Sequence, residues 1–103
     1  MQAMTNTVEQ VPARDWAAWR DEHDAVVLDV REPMEWAMGI LPGAEKMAMS
    51  TIGREWQTLD PQTPILVVCR TGSRSASVSQ ALAGAGFAKV GNMVGGMAVL
   101  GLA

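Results

Sequence analysis

The chain has 103 residues, about the size of one ordinary domain, and we predict a single domain over 8–103 after a short lead-in at 1–7. Hydrophobic residues make up 49% of the sequence and charged residues 18%, which is too apolar a composition for a disordered tail. Eight Lys and Arg against eleven Asp and Glu give a net charge of -3 with no basic stripe, which argues against nucleic acid as a partner.

Cysteine content and hydropathy narrow the class further. Cys69 is the only cysteine, so one chain cannot form an internal disulfide or a cysteine-based metal cage. The most apolar tract, at 94–103, is about half as long as a membrane-spanning helix, and the first twenty residues lack the pattern of an export signal. We therefore expect a cytoplasmic monomer with no metal site and no membrane contact.

The predicted elements of the first half alternate between strands and helices. A short strand near Val8 precedes a helix that starts at Pro12, where two tryptophans recur three residues apart. A nearly continuous apolar run at 25–30 predicts a strand buried on both faces, which is typical of a parallel sheet. Pro33 begins a helical turn, and a brief strand follows at 46–49.

The clearest strand and the clearest helix of the sequence follow one another. Five apolar residues at 65–69 give the strongest strand prediction. After a short polar stretch, apolar residues recur at i, i+3, i+4 and i+7 from Val78 and predict a helix that ends at Gly86. This segment is therefore a strand, a tight loop and a helix.

Three weaker elements complete the pattern. Ser50 is predicted to cap a helix over 51–57, a last strand is predicted at 87–90, and a terminal helix is predicted over 97–102. Strands that alternate with helices in this way predict an α/β fold with a parallel sheet and helices on both faces.

Cys69 stands where ligands gather in such folds, at the carboxyl end of a strand and shortly before a helix N-terminus. Gly72 permits a tight loop, in which successive backbone N–H groups can converge on one anion. Arg70 and Arg74 are candidate clamps because guanidinium groups bind oxyanions bidentately. Since such surroundings lower the pKa of a thiol, we predict that Cys69 is a reactive cysteine.

Motifs spread along the chain resemble those of the rhodanese family. The match runs from about Val11 to Leu102 in the right order and spacing, and its combination of motifs is specific where a cysteine loop alone would be weak evidence. The matching stretches are Asp29-Val30-Arg31-Glu32, Glu35-Trp36, residues 39–44, Cys69-Arg70-Thr71-Gly72-Ser73-Arg74-Ser75, Gly86-Phe87 and Gly95-Gly96.

The resemblance implies a central five-stranded parallel sheet flanked by helices on both faces. It also implies a sulfurtransferase that moves sulfane sulfur from a donor such as thiosulfate to a thiophilic acceptor, which can be cyanide, a thiol or a protein. The sulfur would travel as a Cys69 persulfide, and no cofactor is implied. The anion-binding loop implied around that sulfur comprises Arg70, Thr71, Gly72, Ser73, Arg74 and Ser75.

Residues outside the loop are given supporting roles. Asp29 and Arg31 are expected to form a buried brace for the loop, because ionisable groups near a core persist when they are paired. Arg31 and Trp36 are also candidates for the rim of the pocket. The serines after the cysteine, at 73, 75, 77 and 79, are expected to cap the following helix or to line its polar face.

Two other functions stay open. The first is a module that carries a persulfide without turnover and docks a partner through the apolar end at 94–103. The second is a cysteine phosphatase or arsenate reductase, although four residues separate Cys69 from Arg74 where tyrosine phosphatases have five, and the smaller ring favours sulfur. The chain departs from the family at Ile40 and Leu100, where histidine and tryptophan are common.

Overall fold

A computed structural model describes residues 7–102, so the predicted lead-in at 1–7 lies outside the described residues except for Thr7. No helix within 7–102 is long and apolar enough to cross a membrane. Short 3-10 turns precede the first helix, at Ala13–Asp15, and follow the third, at Trp56–Thr58. The strands and helices are β1 (Val8–Pro12), α1 (Trp16–His23), β2 (Val26–Asp29), α2 (Pro33–Trp36), β3 (Glu45–Lys46), α3 (Ile52–Glu55), β4 (Ile65–Val68), α4 (Ser73–Gly84), β5 (Val90–Val94) and α5 (Gly96–Val99).

The strands of the described region form one parallel sheet in the order β1-β5-β4-β2-β3. The central strand β4 pairs with β2, where Val26 lies opposite Ile65, and with β5, where Val90 lies opposite Ile65. The predicted five-stranded parallel sheet is confirmed. Because β4 is central, the residue that follows it emerges in the middle of the sheet's carboxyl edge.

Neighbouring residues of the inner strands face two separate cores. Leu28 and Val67 pack on the side covered by α4, whereas Val27 and Leu66 pack with Trp19 of α1 on the opposite side. Leu28, Leu66 and Val67 have no exposed surface, and burial of each such side chain stabilises the fold by about 2 kcal/mol. Helices therefore cover both faces, as the apolar runs predict.

The last strand lies further along the chain than the sequence predicts, and the prediction of a strand at 87–90 is wrong. Phe87 is buried in the core from the turn after α4, which gives it the apolar surroundings of a strand residue. β5 instead contains Gly91 and Asn92, two residue types with low strand propensity. A Cβ at Gly91 would lie 3.1 Å from the Trp19 ring, which is tighter than an ordinary contact, so β5 and α1 approach each other closely at this glycine.

The helix predicted over 51–57 is present as α3 and the 3-10 turn that follows it, but the prediction that Ser50 caps it is wrong. Thr51 is the N-cap of α3, and the Ser50 hydroxyl donates to Glu32 Oε1 at 2.7 Å. Glu32 and Glu35 cap the N-terminus of α2 reciprocally, each accepting a bond from the other's backbone N–H. The Ser50 hydrogen bond therefore links the segment before α3 to the N-terminus of α2.

Candidate active site

Cys69 directly follows β4, and α4 begins after three intervening residues, at Ser73. Gly72 is the N-cap of α4 and has a φ of 102°, a left-handed conformation that glycine adopts without strain. The backbone N–H of Gly72 donates to Cys69 Sγ at 3.1 Å, and the N–H of Ser75 donates to it at 3.3 Å. Two main-chain donors thus converge on the sulfur.

The pKa of the Cys69 thiol reflects two opposed effects. Cys69 has no exposed surface, and this burial raises the pKa. The Ser75 hydroxyl and the backbone N–H groups of Ser75, Gly72 and Thr71 lower it, and together they outweigh the burial, so the net pKa lies below that of an ordinary cysteine. The sulfur is therefore held in surroundings that favour its anion.

The two arginines of the loop are placed differently. Arg74 donates to both oxygens of Glu35, from Nη1 at 2.7 Å and from Nη2 at 2.8 Å. This pairing lowers the pKa of Glu35 to about 2, mainly through the hydrogen bond from the guanidinium. The exposed Arg70 side chain makes no hydrogen bond or ion pair within 7–102. Of the two expected clamps, Arg70 is available to a ligand, and Arg74 is already engaged.

Asp29 and Arg31 form the ion pair that the sequence predicts. Arg31 Nη2 lies 2.8 Å from Asp29 Oδ2, and both side chains are almost completely buried. The same Nη2 donates to the carbonyl of Gly39 at 2.7 Å, and Nη1 donates to the carbonyl of Glu35 at 3.3 Å. The pair therefore fastens the end of β2 to the segment around α2 that holds Arg74.

A cavity of about 140 Å³ lies beside the cysteine loop and is lined by Arg31, Glu35, Met38 and Arg70. Trp36, a predicted rim residue, packs instead near Lys46 of β3, whose ammonium is 5.7 Å from the indole centroid. A larger apolar cavity of about 360 Å³ between α3 and α4 is lined by no residue of 69–75. Within 7–102, no cluster of His, Cys, Asp and Glu could hold a metal ion.

Gly96, the first residue of α5, allows this helix to pack closely against the backbone of the cysteine loop. The N–H of Met97 donates to the carbonyl of Cys69, and the N–H of Ala98 donates to the carbonyl of Arg70, both at 2.9 Å. A side chain at Gly96 would overlap the carbonyl group of Arg70 and would lie 2.7 Å from the carbonyl oxygen of Cys69. Gly96, the second residue of the Gly95-Gly96 motif, is therefore in contact with the loop backbone.

The serines of α4 do not share one polar face, and the expectation is wrong for Ser75 and Ser79, which are both fully buried. Ser75 lies 3.3 Å from the sulfur and donates to Asn92 Oδ1 at 2.6 Å. The sequence pattern alone assigns no role to Asn92 or to Glu35, the partner of Arg74. Glu35 belongs to a recognised motif, but its partner is 39 residues away, and no local pattern reveals a pair at that separation.

The fold and the cysteine loop define a rhodanese-like domain. The sequence pattern of that domain matches residues 13–100, so the chain belongs to the rhodanese-like domain family of sulfurtransferases. The fold is similar to that of a rhodanese-like domain protein from Staphylococcus aureus, with a TM-score of 0.79 and 28% identity over 88% of this chain and 89% of the other.

Relatives of the chain carry sulfurtransferase names, as two of them illustrate. The chain is 32% identical over 88 residues to the thiosulfate sulfurtransferase GlpE of Pseudomonas putida, covering 85% of this chain and 80% of that protein. It is 37% identical over 76 residues to the putative sulfurtransferase YtwF of Bacillus subtilis, covering 74% and 73%.

Proposed function

We propose that this protein is a thiosulfate-type sulfurtransferase that works through a Cys69 persulfide. The observation that carries the proposal is the convergence of the Gly72 and Ser75 N–H groups on Sγ. Donors fixed in this way stabilise negative charge on sulfur without reorganisation, whether the sulfur is a thiolate or a persulfide. The thiosulfate sulfurtransferase GlpE among the relatives supports the choice of donor.

In the first half-reaction, the Cys69 thiolate attacks the outer sulfur of thiosulfate. A new sulfur–sulfur bond forms at Sγ, the sulfur–sulfur bond of thiosulfate breaks, and sulfite leaves with the electron pair. Arg70, whose guanidinium has no partner within 7–102, binds the oxygens of the departing group. Arg74, fixed by Glu35, adds positive charge near the sulfur but is not released to follow the substrate.

In the second half-reaction, a thiophilic acceptor attacks the outer sulfur of the persulfide. The sulfur–sulfur bond breaks, Cys69 leaves as a thiolate, and cyanide as acceptor would yield thiocyanate. The amides that lower the pKa of the thiol also make it a better leaving group here. Asp29 and Arg31 act as support by holding the carbonyls of Glu35 and Gly39, and Arg31 also contributes to the pocket rim.

Intact mass after incubation with thiosulfate tests the proposal. The wild type should gain the mass of one sulfur atom and lose it again on addition of cyanide, with thiocyanate appearing in the same amount. Cys69→Ser should gain nothing, because Cys69 is the only thiol of the chain. No gain in the wild type, or an equal gain in Cys69→Ser, would contradict the proposal.

A second candidate function is a persulfide-carrying module that does not turn over by itself. It is favoured by the complete burial of Cys69 together with the exposed apolar side chains of Val94, Val99 and Leu102, which are 42–52% exposed. On this hypothesis a partner docks at the α5 end and opens the site. Steady-state assays with several acceptors distinguish the two, since a module would release one sulfur for each protein molecule and then stop.

A further inference from the structure

A chain of hydrogen bonds runs from the sulfur through the core to the surface. Cys69 Sγ lies 3.3 Å from Ser75 Oγ, Ser75 Oγ lies 2.6 Å from Asn92 Oδ1, and Asn92 Nδ2 lies 3.0 Å from Gln10 Oε1. Ser75 is fully buried and Asn92 is 4% exposed, whereas Gln10 is exposed on β1. Gln10 and Asn92 are register partners in neighbouring strands. We call these four side chains the polar relay.

The Ser75 hydroxyl has one proton and cannot donate it to two acceptors. In the observed arrangement the proton goes to Asn92 Oδ1, and Ser75 Oγ accepts a bond from the Cys69 thiol. This arrangement suits a neutral thiol, which has a proton to give, and the Ser75 hydroxyl lowers the pKa of Cys69 only when its own proton turns to the sulfur. An anionic sulfur has none and needs the Ser75 proton for itself.

Turning the Ser75 hydroxyl towards the sulfur has a consequence for the rest of the relay. Ser75 Oγ and Asn92 Oδ1 would then face each other as two acceptors at 2.6 Å, an unfavourable buried contact. Rotation of the Asn92 amide removes it, because Nδ2 then donates to Ser75. Asn92 Oδ1 now faces Gln10, whose amide must also rotate to present Nε2. The amides of asparagine and glutamine allow both orientations with little change of shape.

We propose that Asn92 and Gln10 are positioning residues whose amide orientations set the direction of the Ser75 proton, and so set whether the site favours a neutral or an anionic sulfur on Cys69. The proposal deepens the proposed function, because the anionic sulfur is the reactive form there. Ser75, Asn92 and Gln10 are uncharged in both arrangements. They act by changing which atoms donate hydrogen bonds towards the sulfur, and only the sulfur itself changes its charge.

Charged groups also surround the site, and their electrostatic effect on the ionisation of Cys69 has to be distinguished from the effect of the relay. These groups are Arg70 of the loop, Arg74 of α4, Glu32 at the N-cap of α2, Glu35 of α2, and the paired Asp29 and Arg31 at and just after the end of β2. On β1, next to Gln10, Glu9 lies 3.4 Å from Lys89. The experiment therefore needs one arm that removes the relay and leaves these charges in place.

Two substitutions of Gln10, the exposed end of the relay, should shift the pKa of Cys69 in opposite directions. In Gln10→Glu the new carboxylate can only accept, so it holds Asn92 with Oδ1 towards Ser75 and disfavours the thiolate. We expect about a tenfold smaller thiolate-to-thiol ratio at a given pH, which is a rise of about one pKa unit. Gln10→Lys can only donate, and we expect a shift in the opposite direction. Because Gln10 is exposed, both variants should fold.

Ultraviolet absorbance of the thiolate against pH measures this ionisation cleanly, since the chain has one cysteine and no tyrosine. The matched control is the same pair of substitutions in an Asn92→Leu background, where the relay is cut and the charges remain. Shifts that vanish in that background support the proposal. Shifts of equal size in both backgrounds, or no shift in the wild-type background, would overturn it.

A second readout covers the case in which Asn92→Leu does not fold. The direct effect of an exposed charge is screened by salt, whereas a hydrogen-bond effect through the buried relay is not. Shifts that survive high salt support the relay, and shifts that salt removes overturn it. The titration uses no sulfur donor, so a failure of persulfide formation with thiosulfate and a failure of the relay are separate outcomes.

Discussion

Two glycines lie where the cysteine loop meets the segment that leads into α5. Gly72 turns the chain into α4 with a positive φ, and a Cβ there would lie 3.2 Å from the backbone nitrogen of Gly95. Gly96 lies against the carbonyls of Cys69 and Arg70, and it too has a positive φ, of 65°. The loop geometry that aims N–H groups at the sulfur thus depends on side chains being absent at these two positions.

We expect Gly96→Ala to disable the site. The methyl group would overlap the Arg70 carbonyl and force the loop and α5 apart, at a cost of about 2 kcal/mol in the free energy of unfolding. Persulfide formation from thiosulfate should be lost, as measured by intact mass. Urea unfolding gives the change in stability.

Gly84→Ala is the matched control for that substitution. Gly84 is an exposed residue of α4 with open space where a Cβ would stand, so alanine there should keep activity and raise stability by at most about 1 kcal/mol. Equal activity of the Gly96→Ala and Gly84→Ala proteins would show that the contact between α5 and the loop is not needed.

At the scale of elements, the short helix α2 is joined to α4 by Glu35 and Arg74. Glu35 accepts three hydrogen bonds, two from Arg74 and one from the backbone N–H of Glu32 at its own helix start. Both partners of the ion pair are partly exposed, at 26% and 32% of their side-chain surface. The bidentate geometry therefore fixes Arg74 beside the cysteine at a moderate gain in stability.

The pH dependence of stability should reveal this ion pair. The folded-state pKa of Glu35, about 2, lies below its ordinary 4.5, so its contribution is complete above about pH 4.5 and is lost as the pH falls towards 2. Glu35→Gln should lower the free energy of unfolding by about 1 kcal/mol at neutral pH, the size expected for a partly exposed pair. The difference from wild type should shrink in acid.

Urea unfolding at several pH values measures that difference. Glu45→Gln serves as the control, because the exposed Glu45 side chain makes no hydrogen bond or ion pair within 7–102. A difference between wild type and Glu35→Gln that is the same at about pH 6 and about pH 3 would contradict the role assigned to the pair.

The elements could be predicted from sequence where local pattern and burial agree. The apolar run before Cys69 is buried at every position and forms β4. Because β4 is the central strand, Cys69 emerges in the middle of the sheet's carboxyl edge. β5 lies further along the chain than the local pattern predicts. Its Gly91 and Asn92 make long-range contacts, with Trp19 and with Ser75, that strand propensity does not reflect. Such partners are remote in sequence, so hydrophobic periodicity carries no information about them.

At the scale of the whole molecule, the parallel sheet gathers remote segments at one edge. Asp29 is the last residue of β2 and Cys69 directly follows β4, and these strands are neighbours in the sheet. α5 reaches the same edge and donates N–H groups to the carbonyls of the loop. The sequence resemblance locates the cysteine, whereas these supports emerge from the order of the strands.

The pH dependence of Cys69 alkylation by iodoacetamide tests most directly whether the folded loop keeps the sulfur charged. Because the chain has one cysteine, the same protein unfolded in urea supplies the reference. The folded protein should react with a midpoint below that of the unfolded chain, which is expected near the ordinary cysteine pKa of about 8.5. A folded midpoint at or above the unfolded one, or a thiol that is inert at neutral pH, would contradict the account.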